Sequence, residues 1–121
     1  MLITEKWPID RAILAETAGV LADKLLPELI RLYLEDATML LTKIQEGLQN
    51  QNLDQSVQAA HRLKGNSASM GITTMADLAR KVEMAAKQNM ADEATILSDQ
   101  LAAEYAEVKP ALAQILTEIT T

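Results

Sequence analysis

The sequence predicts an all-α protein, an antiparallel up-and-down four-helix bundle with a short N-terminal helix and a kinked or split C-terminal helix. Three observations lead there. Hydrophobic residues make up 49% of the 121, but there is no Phe and aromatics are 2%, so strand formers are scarce and Leu, Ala, Ile and Met dominate. Apolar residues recur every three to four positions through most of the chain. The breaks between these stretches are short, which favours antiparallel neighbours. The length suits a single domain over residues 1–121, large enough to bury one core without disulfides or a structural metal.

Leu2, Ile3, Trp7 and Pro8 form an apolar arm suited to covering one end of the core, with Trp7 as a packing anchor. Asp10 caps a short first helix carrying Ile13, Leu14, Thr17 and Ala18, and Gly19 ends it. Asp23 caps a second helix from Lys24 to about Gln49, on which Leu25, Leu29, Leu32, Tyr33, Met39, Leu40, Ile44 and Leu48 keep a helical period. Pro27 falls in its first turn, where a missing N–H costs little.

After the polar break Asn50-Gln51-Asn52, Asn52 caps a third helix from Leu53 to about Met70. Its inner face is Leu53, Val57, Ala60, Leu63, Ser67 and Met70, and Gly71 terminates it. Thr73 or Thr74 opens a fourth helix through Met75, Leu78, Val82 and Ala85 to about Gln88. Asp92 and Glu93 open the last, with Ile96, Leu97, Leu101, Tyr105 and Val108 on one side. Pro110 is expected to kink or split it near Val108, leaving Leu112, Ile115, Leu116 and Ile119 as a second segment.

The net charge of -6 argues against nucleic acid as a partner, because phosphate binding needs a basic surface. No apolar run reaches the roughly 18 residues of a membrane span, and the N-terminus lacks the order of a signal peptide. The absence of cysteine is compatible with the cytoplasm, and a soluble cytoplasmic chain without membrane contact is the expectation. One histidine and no cysteine leave only carboxylates as further ligands, so no metal site is expected.

The single histidine, His61, lies in the middle of the third helix. At about 100° per residue, Gly65 and Ala68 fall within roughly 40° of it and Lys64 about 60° to the other side, so the imidazole stands in a clearing with a cation at its edge. A glycine inside a helix costs about 1 kcal/mol relative to alanine, and access by a partner would justify it. An exposed imidazole is mostly neutral at pH 7 and is a good nucleophile toward phosphorus. A lysine one turn away can offset the charge of an attached phosphoryl group. Antiparallel pairing of the third and fourth helices turns His61 toward Glu83 and Lys87. Arg62, Lys64, Arg80, Lys81 and Lys87 make these two helices locally basic within an acidic protein. Ser67 and Ser69 are of the small hydroxyl type that packs between helices.

The run Ala60-His61-Arg62-Leu63-Lys64-Gly65, with Gly71 following, resembles the signature of histidine-containing phosphotransfer (HPt) domains of bacterial multistep phosphorelays. The resemblance extends over most of the chain, with Leu78 and Glu83 at the family's spacing in the fourth helix. It implies that His61 accepts a phosphoryl group from a receiver-domain aspartate of a hybrid histidine kinase and passes it to a response-regulator aspartate. Lys64 would steady the phosphoryl group, and Gly65, with Ala68, would leave room for docking on the apolar flank of the second and third helices. Glu83 falls where some relatives carry a glutamine contacting the imidazole; a carboxylate there can hold a ring N–H but repels phosphate if too near. Lys87 and the exposed Gln58, Arg62 and Ser69 are candidates for support and specificity. Any Mg²⁺ would come with the receiver, the chain itself carrying no cofactor and acting as a monomer. Four scattered glycines do not make an ATP site, and Arg62 stands where a kinase dimerisation helix usually has an acidic residue, so no kinase activity of its own is expected. The alternative is a non-catalytic bundle that binds or sequesters a receiver domain without phosphotransfer.

Overall fold

The computed structural model describes residues 22–120, and four helices account for nearly all of them: α1 (Ala22–Gln49), α2 (Leu53–Ser69), α3 (Thr73–Lys87) and α4 (Ala91–Thr120). Each helix packs against the next, and α4 closes the ring on α1. The pairing is antiparallel: Tyr33 meets Ser67 while Lys43 meets Gln55, and Thr74 near the start of α3 meets Glu104 well along α4. The apolar arm at Leu2, Ile3, Trp7 and Pro8 and the short helix from Asp10 to Gly19 lie outside the described residues. Among the described residues no helix is long and apolar enough to cross a membrane.

The core is one cluster drawn from all four helices. Ile30, Tyr33, Ala37, Leu40, Leu41 and Ile44 of α1 face Ala60 and Leu63 of α2, Met75, Ala79 and Val82 of α3, and Leu101, Val108, Leu112 and Ile115 of α4. Of the α1 stripe read in the sequence, Tyr33, Leu40 and Ile44 are buried and Leu29 and Leu48 pack against the core in part. Leu25, Leu32 and Met39 are exposed, as is Ile96 on α4, while Ile30, Ala37 and Leu41 take the inner positions.

Turn chemistry fixes the bundle's connections. Gly71 adopts φ 73°, and the N–H groups of Gly71 and Ile72 close back on the carbonyls of Ala68 and Ser67 at 3.1 and 2.9 Å, the double closure that ends a helix through a left-handed residue. Gln51 (φ 58°) and Asn89 (φ 60°) end α1 and α3 in the same conformation without being glycine. Asn52 caps α2 by accepting from the Gln55 N–H at 3.3 Å, whereas α3 starts after Ile72 with no side-chain cap.

Three sequence expectations shift. Helix α1 is described from Ala22 on, so Asp23 lies within it rather than ahead of it as a cap. Pro27 then lies beyond the first turn, inside the helix. Helix α4 runs unsplit through Pro110, because Val108 and Leu112 are both buried on the same side and this packing outweighs the hydrogen bond that proline forfeits.

Close approach between α1 and α2 rests on Gly47. A Cβ there would run into Ser56 Oγ and come within 2.7 Å of the Asn52 carbonyl oxygen. Ser56 uses that proximity to donate to the Ile44 carbonyl at 2.8 Å, and Tyr33 and Ser67 share a buried hydrogen bond, also 2.8 Å, further along. Burial pushes the Tyr33 hydroxyl pKa well above its ordinary value, so it stays neutral in this link. These ties hold one buried side of α2 against α1 and leave another for α3.

Candidate phosphotransfer site

The side of α2 that meets α3 carries the candidate site. Leu63 and Ala60 are fully buried beneath it and Ala79 and Val82 answer from α3, which sets the helices close enough for His61 and Glu83 to touch. His61 Nδ1 lies 2.9 Å from Glu83 Oε2, although the imidazole side chain is 65% exposed and that of Glu83 only 5%. Two lysines converge on the same carboxylate: Lys64, one turn on from His61, reaches Oε1 at 3.0 Å, and Lys87, one turn on from Glu83, reaches Oε2 at 3.3 Å. Burial alone would raise the Glu83 pKa, but hydrogen bonds from Lys64, His61 and Lys87 outweigh it and hold the pKa below its ordinary value.

This settles the tautomer by chemistry. An ionised carboxylate only accepts hydrogen bonds, so Nδ1 carries the proton it donates to Glu83, and the lone pair of the neutral ring resides on Nε2. With Nδ1 turned to the protein, Nε2 is the outward edge of an exposed ring. The bundle therefore presents a nucleophilic nitrogen on a ring fixed from beneath.

The surroundings are bare. Gly65 and Ala68 are exposed, and a Cβ added at Gly65 would meet nothing within 4 Å. No internal contact requires a glycine at 65, in contrast to Gly47. Gln58, Arg62 and Ser69 are exposed around the same face. Beside it Leu29, Leu32, Tyr33, Asp36, Asn66, Ser69 and Met70 line a shallow depression between α1 and α2, of which Leu32 is 47% exposed.

The basic patch is less basic than its five cations suggest. Lys64 and Lys87 are paired with Glu83, and Arg80 and Lys81 with Asp77 at 2.8 and 3.4 Å, which holds the Asp77 carboxyl below its ordinary pKa through the Arg80 and Lys81 hydrogen bonds. Arg62 has no ion-pair partner among the described residues. Ser67 is buried on Tyr33. Among the described residues, no group of three or more His, Cys, Asp or Glu side chains is arranged to hold a metal ion.

The comparisons agree with this geometry. No curated protein matches the chain by sequence. In structure it is similar to histidine-containing phosphotransfer protein B (HptB) from Pseudomonas aeruginosa PAO1, with a TM-score of 0.84 and 25% identity over 91% of this chain and 95% of that one. The Hpt domain family matches residues 28–118, which take in His61, Glu83 and nearly all of the four helices. A four-helix bundle with a lone exposed histidine at its centre, matched over most of its length, belongs to the Hpt family of histidine phosphotransfer domains.

Proposed function

We propose that His61 is the phosphorylated residue, and that the chain relays a phosphoryl group from the aspartyl phosphate of a hybrid kinase's receiver domain to the aspartate of a response regulator. The observation that carries this reading is the grip of a buried, ionised Glu83 on Nδ1–H, which leaves the Nε2 lone pair outermost on an open face. In the forward step Nε2 attacks phosphorus, the Nε2–P bond forms, and the aspartyl P–O bond breaks with its electron pair leaving on the carboxylate. The ring then carries positive charge, which Glu83 offsets through the retained Nδ1–H. In the second step the regulator's carboxylate attacks phosphorus and the N–P electron pair returns to Nε2.

Lys64 offsets the phosphoryl charge, and Gly65 and Ala68 give the receiver its approach beside the apolar flank of α1 and α2. Mg²⁺ is carried by the receiver, whose acidic site it serves, and the module works as a cytoplasmic monomer. Incubation with a phosphorylated receiver should place acid-labile, alkali-stable label on this chain, and His61→Gln should abolish it with helical content intact. Tight receiver binding that survives His61→Gln, with no label ever reaching the wild type, would instead establish a sequestering module.

A further inference from the structure

One carboxylate facing two ammonium groups is more than His61 needs to be held. Glu83 is 4% exposed, and a buried carboxylate stripped of compensation is strongly disfavoured, so its ion pairs act as a unit. Lys64 is the one cation of the pair on the same helix as His61, one turn on from it, and so is the one within reach of a group attached to the ring. A dianionic phosphoryl group on Nε2 would draw it off Oε1. Lys87 lies on the other helix, one turn from Glu83 on α3, and reaches Oε2 at 3.3 Å, the same oxygen that accepts from Nδ1, with its own side chain 60% exposed.

We propose that Lys87 is a positioning residue that keeps Glu83 neutralised while Lys64 leaves it for the phosphoryl group, so that the imidazole stays clamped in the phosphorylated state. The two lysines thus divide the work, with Lys64 shared between two anions and Lys87 serving Glu83 alone. The inference rests on His61 being the phosphorylated residue. With Lys64 gone, Glu83 faces the cationic ring and Lys87, and Lys87 matters there only because residue 83 is charged. A glutamine at 83 would accept the Nδ1 hydrogen bond without needing a counter-charge, and would leave Lys64 uncommitted from the start.

The test is a double-mutant cycle in the full chain, read as phosphohistidine half-life after labelling with phosphoramidate, whose P–N bond breaks with loss of ammonia as Nε2–P forms. A small donor removes receiver docking from the measurement. Lys87→Ala should shorten the half-life about fivefold with Glu83 present and change it less than about twofold in the Glu83→Gln background, the size expected of a partly exposed ion pair whose partner is buried. The unphosphorylated Lys87→Ala protein should keep wild-type helical content and the Nδ1–H tautomer in imidazole ¹⁵N spectra, since Lys64 still serves Glu83 there. An unchanged half-life in Lys87→Ala, or an equal loss in both backgrounds, overturns the role of Lys87 while leaving phosphotransfer standing. Failure of the wild type to take label from either phosphoramidate or a phosphorylated receiver overturns the phosphotransfer reading and this inference with it.

Discussion

Replacing Gly65 with alanine separates what the helix wants from what the site needs. Gly65 lies inside α2 with ordinary helical φ, and an added methyl meets no atom within 4 Å, so the substitution creates no clash. Alanine is favoured over glycine within a helix by about 1 kcal/mol, so the protein should gain between about 0.5 and 1 kcal/mol, or roughly 2 to 4 °C in Tm for a chain of this size. The same methyl stands about one turn from His61, on the face that the proposed relay has an incoming receiver cover. Crowding of a packed contact by one carbon costs on the order of 1 to 3 kcal/mol, so transfer from a phosphorylated receiver should slow by about five- to 150-fold. Urea or thermal unfolding reads the first effect, and rapid-quench transfer kinetics the second, with phosphoramidate labelling as the control that involves no docking and should be unaffected. A destabilised Gly65→Ala protein would refute the packing argument. Equal slowing with receiver and phosphoramidate would refute the docking argument, because the methyl would then be acting on the imidazole itself.

Gly47→Ala should behave oppositely: its Cβ meets Ser56 Oγ and the Asn52 carbonyl, so overpacking outweighs propensity and unfolding experiments should show a loss of about 1 to 3 kcal/mol. Gln51→Gly should stabilise by about 0.5 to 1 kcal/mol in the same assay, since φ 58° strains a residue with a side chain. Tyr33→Phe leaves Ser67 Oγ buried without its partner and should cost about 1 to 2 kcal/mol of unfolding free energy. Because the folded Glu83 pKa is lowered, its contribution is present above the unfolded value and is lost as pH falls through the folded one. The stability difference between wild type and Glu83→Gln, followed by urea unfolding from pH 7 to about pH 3, should therefore shift against the wild type in acid; a constant difference would remove Glu83 from the linkage.

The helices were legible because period and punctuation agree: Asn52 caps α2, Gly71 ends it, and Leu63 and Ala60 mark its buried side. The facing of α1 was harder to read, since leucines occupy both its inner and outer positions and only packing distinguishes Leu40 from Leu32. Of the kink or split that Pro110 suggests, the split is absent, because a local rule about a missing N–H carries no knowledge of the core that spans it. At the site, the spacing from His61 to Glu83 was readable from the short loop between antiparallel helices. The burial of Glu83 and its capture of two lysines were not, because they depend on how deeply α3 sits against α2. Gln51 and Asn89 gave no signal, as a left-handed turn residue without glycine looks like any polar loop residue.

With Nδ1 tethered inward, the imidazole has a single doorway. In the proposed relay the donor and the acceptor must use it in turn, so the first must depart before the second arrives. Between the two visits the loaded imidazole faces solvent with neither receiver on it, and the time the N–P bond survives there bounds the interval in which the second can arrive.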